Sequence, residues 1–166
     1  MNFARYLTEE LIKLEMTTVI EPLEEEGNYE KWLHQSKESI LDELVTLLND
    51  GARVGNKSKL LTDFINRERK ATTGLSYGVA VPHIRSLQAK DFMMAFARST
   101  AGYDFDAIDK QPSHLFFVMA APPYDDQLYL RAFKSLSELV QFDSFREELM
   151  AASNAGEVIR IFRKYE

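Results

Sequence analysis

Two apolar runs constrain this chain more than any other feature: "DFMMAFARS", Asp91–Ser99, and "HLFFVMAAPP", His114–Pro123. A strand with one wet face alternates apolar and polar residues, whereas an unbroken apolar run is buried on both faces. The runs therefore predict strands of a sheet covered by helices on either side. Between them, "YDFDAIDKQP" reads as a loop.

Helical patterns flank these runs. From Ser36, residues Ile40, Leu41, Leu44, Val45, Leu47 and Leu48 recur at helical spacing, and Gly51 stands where a C-terminal cap belongs. "SKLLTDFINRE" repeats the pattern with Leu60, Leu61, Phe64 and Ile65. Three more helical stretches follow "PPYDDQ": Gln127–Gln141, Ser144–Ala152 and Ala155–Lys164, the last opened by Asn154 with Glu157 three residues on. At the start, "FARYL" fits a short helix and "LIKLEM" a half-buried strand. "VAV", Val79–Val81, reads as a strand that Pro82 ends, because proline lacks a ladder donor. Helices interleave with strands, and some connections are too short for a crossover helix. The expected class is α/β: a three-layer α/β/α arrangement with a mixed, roughly five-stranded sheet. One domain is expected over residues 1–166, with an extra, irregular or partly helical surface segment at about 17–35.

Composition narrows the function. With 45% hydrophobic and 28% charged residues over 166 positions, the chain can bury a core without staples, and it has no cysteine for a disulfide or a thiolate. The net charge of −6 argues against broad nucleic-acid binding. The start lacks the apolar core of a signal peptide, and no run reaches membrane-spanning length. A cytoplasmic protein without membrane insertion is expected.

The chemistry concentrates in "RERKATTGLSYGVAVPHIRS", Arg67–Ser86. A neutral imidazole has one bare nitrogen to attack phosphorus, while its other nitrogen can be pinned by an acceptor. Around His83 the stretch offers what a phosphoryl group needs: glycine-borne peptide N–H groups at Gly74 and Gly78, hydroxyls on Thr72 and Thr73, and the guanidinium of Arg67. The same residues also fit a plain turn leading to a strand closed by a hydrogen-bonded histidine. Read from the residues alone, both remain open.

In order and spacing, Arg67-Glu68, Thr72-Thr73-Gly74, Gly78 and "VAVPH" resemble the active-site signature of the enzyme IIA domain of the bacterial phosphotransferase system, fructose/mannitol class. That class includes stand-alone nitrogen-regulatory members. "DKQPSHLFFVMAAP" is similar to the family's Asp-x-Gln-Pro segment and core strand, and "LTEELIKLEM" to its opening. The resemblance implies that His83 accepts a phosphoryl group from the histidine phosphocarrier protein. Arg67, Thr72, Thr73, Gly74 and Tyr129 would shape the pocket around it. It implies an enzyme IIB or a regulated target protein as a further partner, and no metal or organic cofactor.

Two departures stand out. Where the family commonly has His-Leu at the start of the helix after the proline-rich loop, this chain has Tyr129-Leu130. Tyrosine can donate a hydrogen bond but does not carry a proton near neutral pH as histidine does. Tyr129 also shares a helical face with Ala132, Phe133, Leu136 and Val140, which suits a core ring. The second departure is the segment near 17–35, which carries the lone tryptophan beside Tyr29 and an acidic run. His114 is expected to be a strand-end residue with a local hydrogen bond, the alternative being a place beside His83; His34 is expected on the surface. The expected function is that of a phosphocarrier of nitrogen-regulatory type. The alternative is a binding module that keeps the fold without passing phosphate on, and a third reading is an enzyme using the same pocket on a small anion.

Overall fold

A computed structural model describes residues 1–125 and 127–166. Its centre is a five-stranded mixed sheet built around β5 (Ser113–Ala121). One edge of β5 pairs antiparallel with β4 (Met93–Tyr103), whose far edge carries the two-residue β1 (Ile12–Lys13) in parallel. The other edge carries β2 (Val79–Ala80) and β3 (His83–Arg85), both parallel to β5.

The apolar runs are buried on both faces, as their patterning requires. Phe116, Val118 and Ala120 of β5 face a core with α1 (Tyr29–Asn49) and α2 (Lys57–Lys70). The alternate residues Leu115, Phe117, Met119 and Ala121 face a second core with α3 (Leu128–Leu139), α4 (Asp143–Ala151) and α5 (Ala155–Tyr165). This is the expected α/β/α layering. Among the described residues no helix is long and apolar enough to cross a membrane.

Three local expectations change. First, α1 begins at Tyr29 rather than Ser36, with the Asn28 side chain accepting the Lys31 N–H. Its first turns bury Leu33, Ser36 and Lys37, so two polar residues occupy the buried face and hide the helical period. The rest of the extra segment is tied to that helix: Glu43 accepts the backbone N–H and hydroxyl protons of Thr17 and Thr18, and the Trp32 indole donates to Glu21 O at 2.7 Å.

Second, Pro82 interrupts the ladder without ending the edge. Val79 pairs with Leu115 and His83 with Met119, so the register is the same on both sides of the proline. Pro82 needs only its carbonyl there, which accepts the Met119 N–H at 2.9 Å. His83 accordingly opens a strand instead of following one. Third, the left-handed residue after α1 is Ala52, at φ 58°, whereas Gly51 donates its N–H to Leu48 O. The cap on α5 is as read, since Asn154 accepts the Glu157 N–H, and Glu157 accepts the Ser153 N–H in return.

Phe117 is fully buried, with its ring against Phe96, Phe145 and Phe162. Phe117→Ala is expected to lower unfolding free energy by about 3–5 kcal/mol in urea titration, the usual cost of emptying so packed a position.

Candidate functional site

The hairpin that leads to His83 is clamped before it turns. Glu68, near the end of α2, accepts the Thr73 N–H at 2.9 Å and both carboxylate oxygens face the Thr73 hydroxyl. Glu68 is itself buried beside Lys37 of α1, with Nζ 3.7 Å from Oε1. Burial pushes the Glu68 carboxyl up and the Lys37 ammonium down; their mutual attraction opposes both shifts, as do the Thr73 donors for Glu68. Lys37 also donates to Thr72 Oγ at 3.2 Å and lies 4.6 Å from the centre of the Phe105 ring.

From Thr73 the chain forms a tight hairpin. Leu75 N–H bonds Val79 O and Val81 N–H bonds Thr73 O, with Tyr77 and Gly78 at φ 65° and 74° in the turn. Gly74 is needed for packing. A Cβ there would sit 2.9 Å from both Phe105 O and the Ala107 Cα, which are backbone atoms and do not move aside. Thr72 Oγ accepts the Gly74 N–H and lies 3.2 Å from Phe105 O, to which it donates. The hydroxyls of Thr72 and Thr73 and the Gly74 peptide N–H are thus already engaged, with Phe105 O, Glu68 and Thr72 Oγ, holding the shape of the segment that delivers His83.

At His83 the structure brings together side chains from three elements. The Nδ1 of the half-buried imidazole lies 2.6 Å from Val81 O, which can only accept, so Nδ1 carries a proton and in the neutral ring Nε2 is bare. The ring packs on Phe133 and Tyr129 of α3, with centroids 4.6 and 5.9 Å away. Burial lowers the His83 pKa most, the Val81 carbonyl raises it, and the Arg67 charge lowers it further; the net direction is down from 6.5. Arg67 reaches back to cap α2 through Ala71 O at 3.0 Å. Burial pushes the Tyr129 hydroxyl up, against the pull of Arg85 and Arg67.

Arg85 and Phe133 join this group although the signature does not single them out. Arg85 is two residues beyond His83 on β3, hence on the same side of the strand, and its guanidinium lies 4.6 Å from the centre of the Tyr129 ring. Had the strand been started at His83, period two would have pointed to it. Phe133 was legible only as a core residue one helical turn beyond Tyr129. Asp125 Oδ1 accepts the Leu128 N–H at 3.0 Å and so fixes the start of the helix that carries both rings. Beside the site runs a groove bordered by Lys59, Asp63, Arg67, Lys70, Arg85 and Ser86.

The other histidines lie elsewhere. His114 Nδ1 donates to Ser99 O, 3.0 Å away, and the ring packs against Gly78 and Gly102. His83 pairs with Met119, five residues along β5 from His114, or about 17 Å at strand rise, so the two rings do not meet. His34 is exposed on α1. Among the described residues no cluster of histidine and carboxylate groups is arranged to hold a metal.

The sequence and its fold match known proteins. The family model described as "Phosphoenolpyruvate-dependent sugar phosphotransferase system, EIIA 2" covers residues 32–165, and the chain belongs to that family. It is similar to the fructose-specific EIIA component of Haloferax volcanii, 33% identical over 119 residues, covering 72% of this chain and 77% of the relative. It is 30% identical over 132 residues to the fructose-specific EIIABC component of Bacillus subtilis, covering 80% of this chain but only 21% of that protein. The chain therefore spans about a fifth of that relative's length. Among solved structures, the nitrogen regulatory protein IIA-Ntr of Neisseria meningitidis superposes with a TM-score of 0.78 at 27% identity, over 96% of this chain and 98% of the other. The matched region starts inside α1, so most of the extra segment lies outside it.

Two outcomes follow from the geometry. Gly74→Ala is expected to lower stability by about 1–3 kcal/mol in urea titration, because the new methyl meets fixed backbone. In NMR titration the His83 midpoint is expected below 6.5. A histidine with a depressed folded pKa binds fewer protons folded than unfolded, so its contribution is complete above the unfolded value. It is lost as pH falls from there to the folded midpoint. Wild type should therefore lose more stability than His83→Gln across that window.

Proposed function

We propose that the chain is a phosphocarrier in which His83 accepts a phosphoryl group from the phosphohistidine of a histidine phosphocarrier protein. The observation that carries this reading is the hydrogen bond from Nδ1 to Val81 O, which leaves Nε2 as the nucleophile. Burial supports it further by keeping the imidazole neutral near pH 7.

In the transfer, the Nε2 lone pair forms the new N–P bond as the N–P bond of the donor breaks. That electron pair returns to the donor ring, which leaves as a neutral imidazole. His83 keeps its Nδ1 proton, so its ring becomes more positive, and the Val81 carbonyl faces that developing charge. Arg67 and Arg85 flank the pocket and offset the charge of the phosphoryl oxygens. Glu68, Thr72, Thr73 and Gly74 act by holding the loop. Onward partners are an enzyme IIB or a regulated target protein, and the work is done in the cytoplasm, where a phosphoenolpyruvate-driven relay operates.

A second reading is favoured by Tyr129, buried against Arg85 where the family commonly has histidine. It offers a hydroxyl but no second neutral-pH proton carrier. In that reading the protein takes up phosphate as a signal and passes it to nothing, or binds its target without phosphate.

The test is incubation with phosphoenolpyruvate, enzyme I and the histidine phosphocarrier from the same source. The expected result is an acid-labile gain of one phosphoryl group by intact mass, absent in His83→Ala. No such gain with donors of proven activity would overturn the phosphocarrier reading. Tyr129→His is expected to speed uptake or onward transfer by about tenfold or more, measured by quenched-flow transfer of labelled phosphate.

A further inference from the structure

The nucleophilic nitrogen of His83 is selected by one backbone carbonyl, that of Val81, whose own N–H is anchored away from the imidazole. Val81 O receives Nδ1 at 2.6 Å, while the Val81 N–H bonds Thr73 O at 3.0 Å. The peptide N–H of Thr73 in turn bonds Glu68 at 2.9 Å, and its hydroxyl bonds the same carboxylate. Glu68 is 8% exposed and Lys37 6%, and the pair sits on two different helices. Lys37 also grips Thr72 Oγ, so the loop is held at two successive residues by one buried ion pair.

We propose that Glu68, with Lys37 behind it, is a positioning residue for His83: it fixes the Thr73–Val81 rung so that Val81 O holds the Nδ1–H tautomer and Nε2 stays the bare nitrogen. The argument has two parts. A free neutral imidazole exchanges between tautomers, so a single tautomer requires an acceptor kept at hydrogen-bond distance from one nitrogen. Here that acceptor is two residues from the ring and would follow any movement of the 73–81 hairpin. The hairpin tip is held at its own end, by Tyr77 N–H to Asp109 Oδ2 at 3.2 Å and by Gly78 O to the His114 and Leu115 N–H groups. The base of the hairpin, where Val81 bonds Thr73, is held by Glu68, because Thr73 is buried and doubly bonded to it. A carboxylate at this position is a better clamp than a neutral group, since it takes the N–H and the O–H together and as charge-assisted bonds. Lys37 favours the ionised form of that carboxylate, against the burial that raises its pKa.

This inference rests on the phosphocarrier reading for its consequence, but its structural part is measured without any donor protein. In ¹⁵N NMR of the unphosphorylated protein, at a pH where His83 is neutral, the wild type is expected to show a protonated Nδ1 and a bare Nε2. Glu68→Ala is expected to give averaged shifts of the two tautomers and at least about tenfold faster exchange of the Nδ1 proton. Lys37→Met combined with Glu68→Gln keeps an acceptor for the Thr73 N–H without a buried charge, and is expected to restore the single tautomer. Thr73→Val, which removes one of the two bonds, should fall between and serves if Glu68→Ala does not fold. A purely structural Glu68 would lower the melting temperature and leave the tautomer unchanged in every folded variant; that result would overturn the proposal. If the tautomer shifts as expected but neither wild type nor variants take up phosphate, the clamp stands and the phosphocarrier reading fails. If uptake is present, Glu68→Ala should slow it in proportion to the lost Nδ1–H tautomer.

Discussion

The strand β5 is the constraint on which everything else in this molecule depends. Both its faces and both its edges are used: Phe116 and Val118 meet one helix layer, Phe117 and Met119 the other, and ladders run along either side. A strand so enclosed has little freedom to slip, because a shift of one residue would exchange its two faces. Its register therefore dictates where β3 begins and sets His83 opposite Met119. The imidazole owes its position to a ladder and not to a mobile loop. On the phosphocarrier proposal this matters, since misplacement by even an ångström weakens transfer.

Around that fixed point the signature residues divide their work in a way the sequence does not reveal. Arg67 is near enough to alter the His83 equilibrium, but Thr72 bonds Phe105 O, Thr73 bonds Glu68 and Gly74 bonds Thr72 Oγ. A motif read as a ring of phosphate donors is, in large part, the scaffold of a hairpin. Gly74 illustrates the point: its missing side chain makes room for the backbone at Phe105 and Ala107. The charge that acts on the histidine comes from Arg67, before the loop, while Arg85, after it, lies against the Tyr129 ring that packs on His83.

What was legible in the sequence follows from the strength of each physical signal. The layered fold could be read because Met93–Ala97 and Leu115–Ala121 are unbroken apolar runs, and only burial on both faces explains them. The three C-terminal helices could be read because their apolar residues keep period, and the Asn154–Glu157 cap carries its own side-chain chemistry. The first turns of α1 were hidden because Ser36 and Lys37 occupy its buried face, Lys37 there to meet Glu68. The continuation of the edge beyond Pro82 was hidden because proline does remove a donor; only the register across it shows that none was needed. Arg85 stayed unnoticed for the same reason, since its alignment with His83 depends on a strand that seemed already over.

The edges of the sheet have a consequence for solubility. On the β4 side, the segment from Ile12 runs alongside for only two ladder residues, after which Met16 N–H closes on Arg98 O and the Glu15 carboxylate takes the Thr100 N–H. On the β2 side, the hairpin folds back over Val79–Val81, and Pro82 offers no donor to a stranger. Among the described residues neither border presents a long row of free peptide groups, the template on which sheets of separate molecules grow together. His83 can thus sit at the border of a sheet while the border itself discourages self-association.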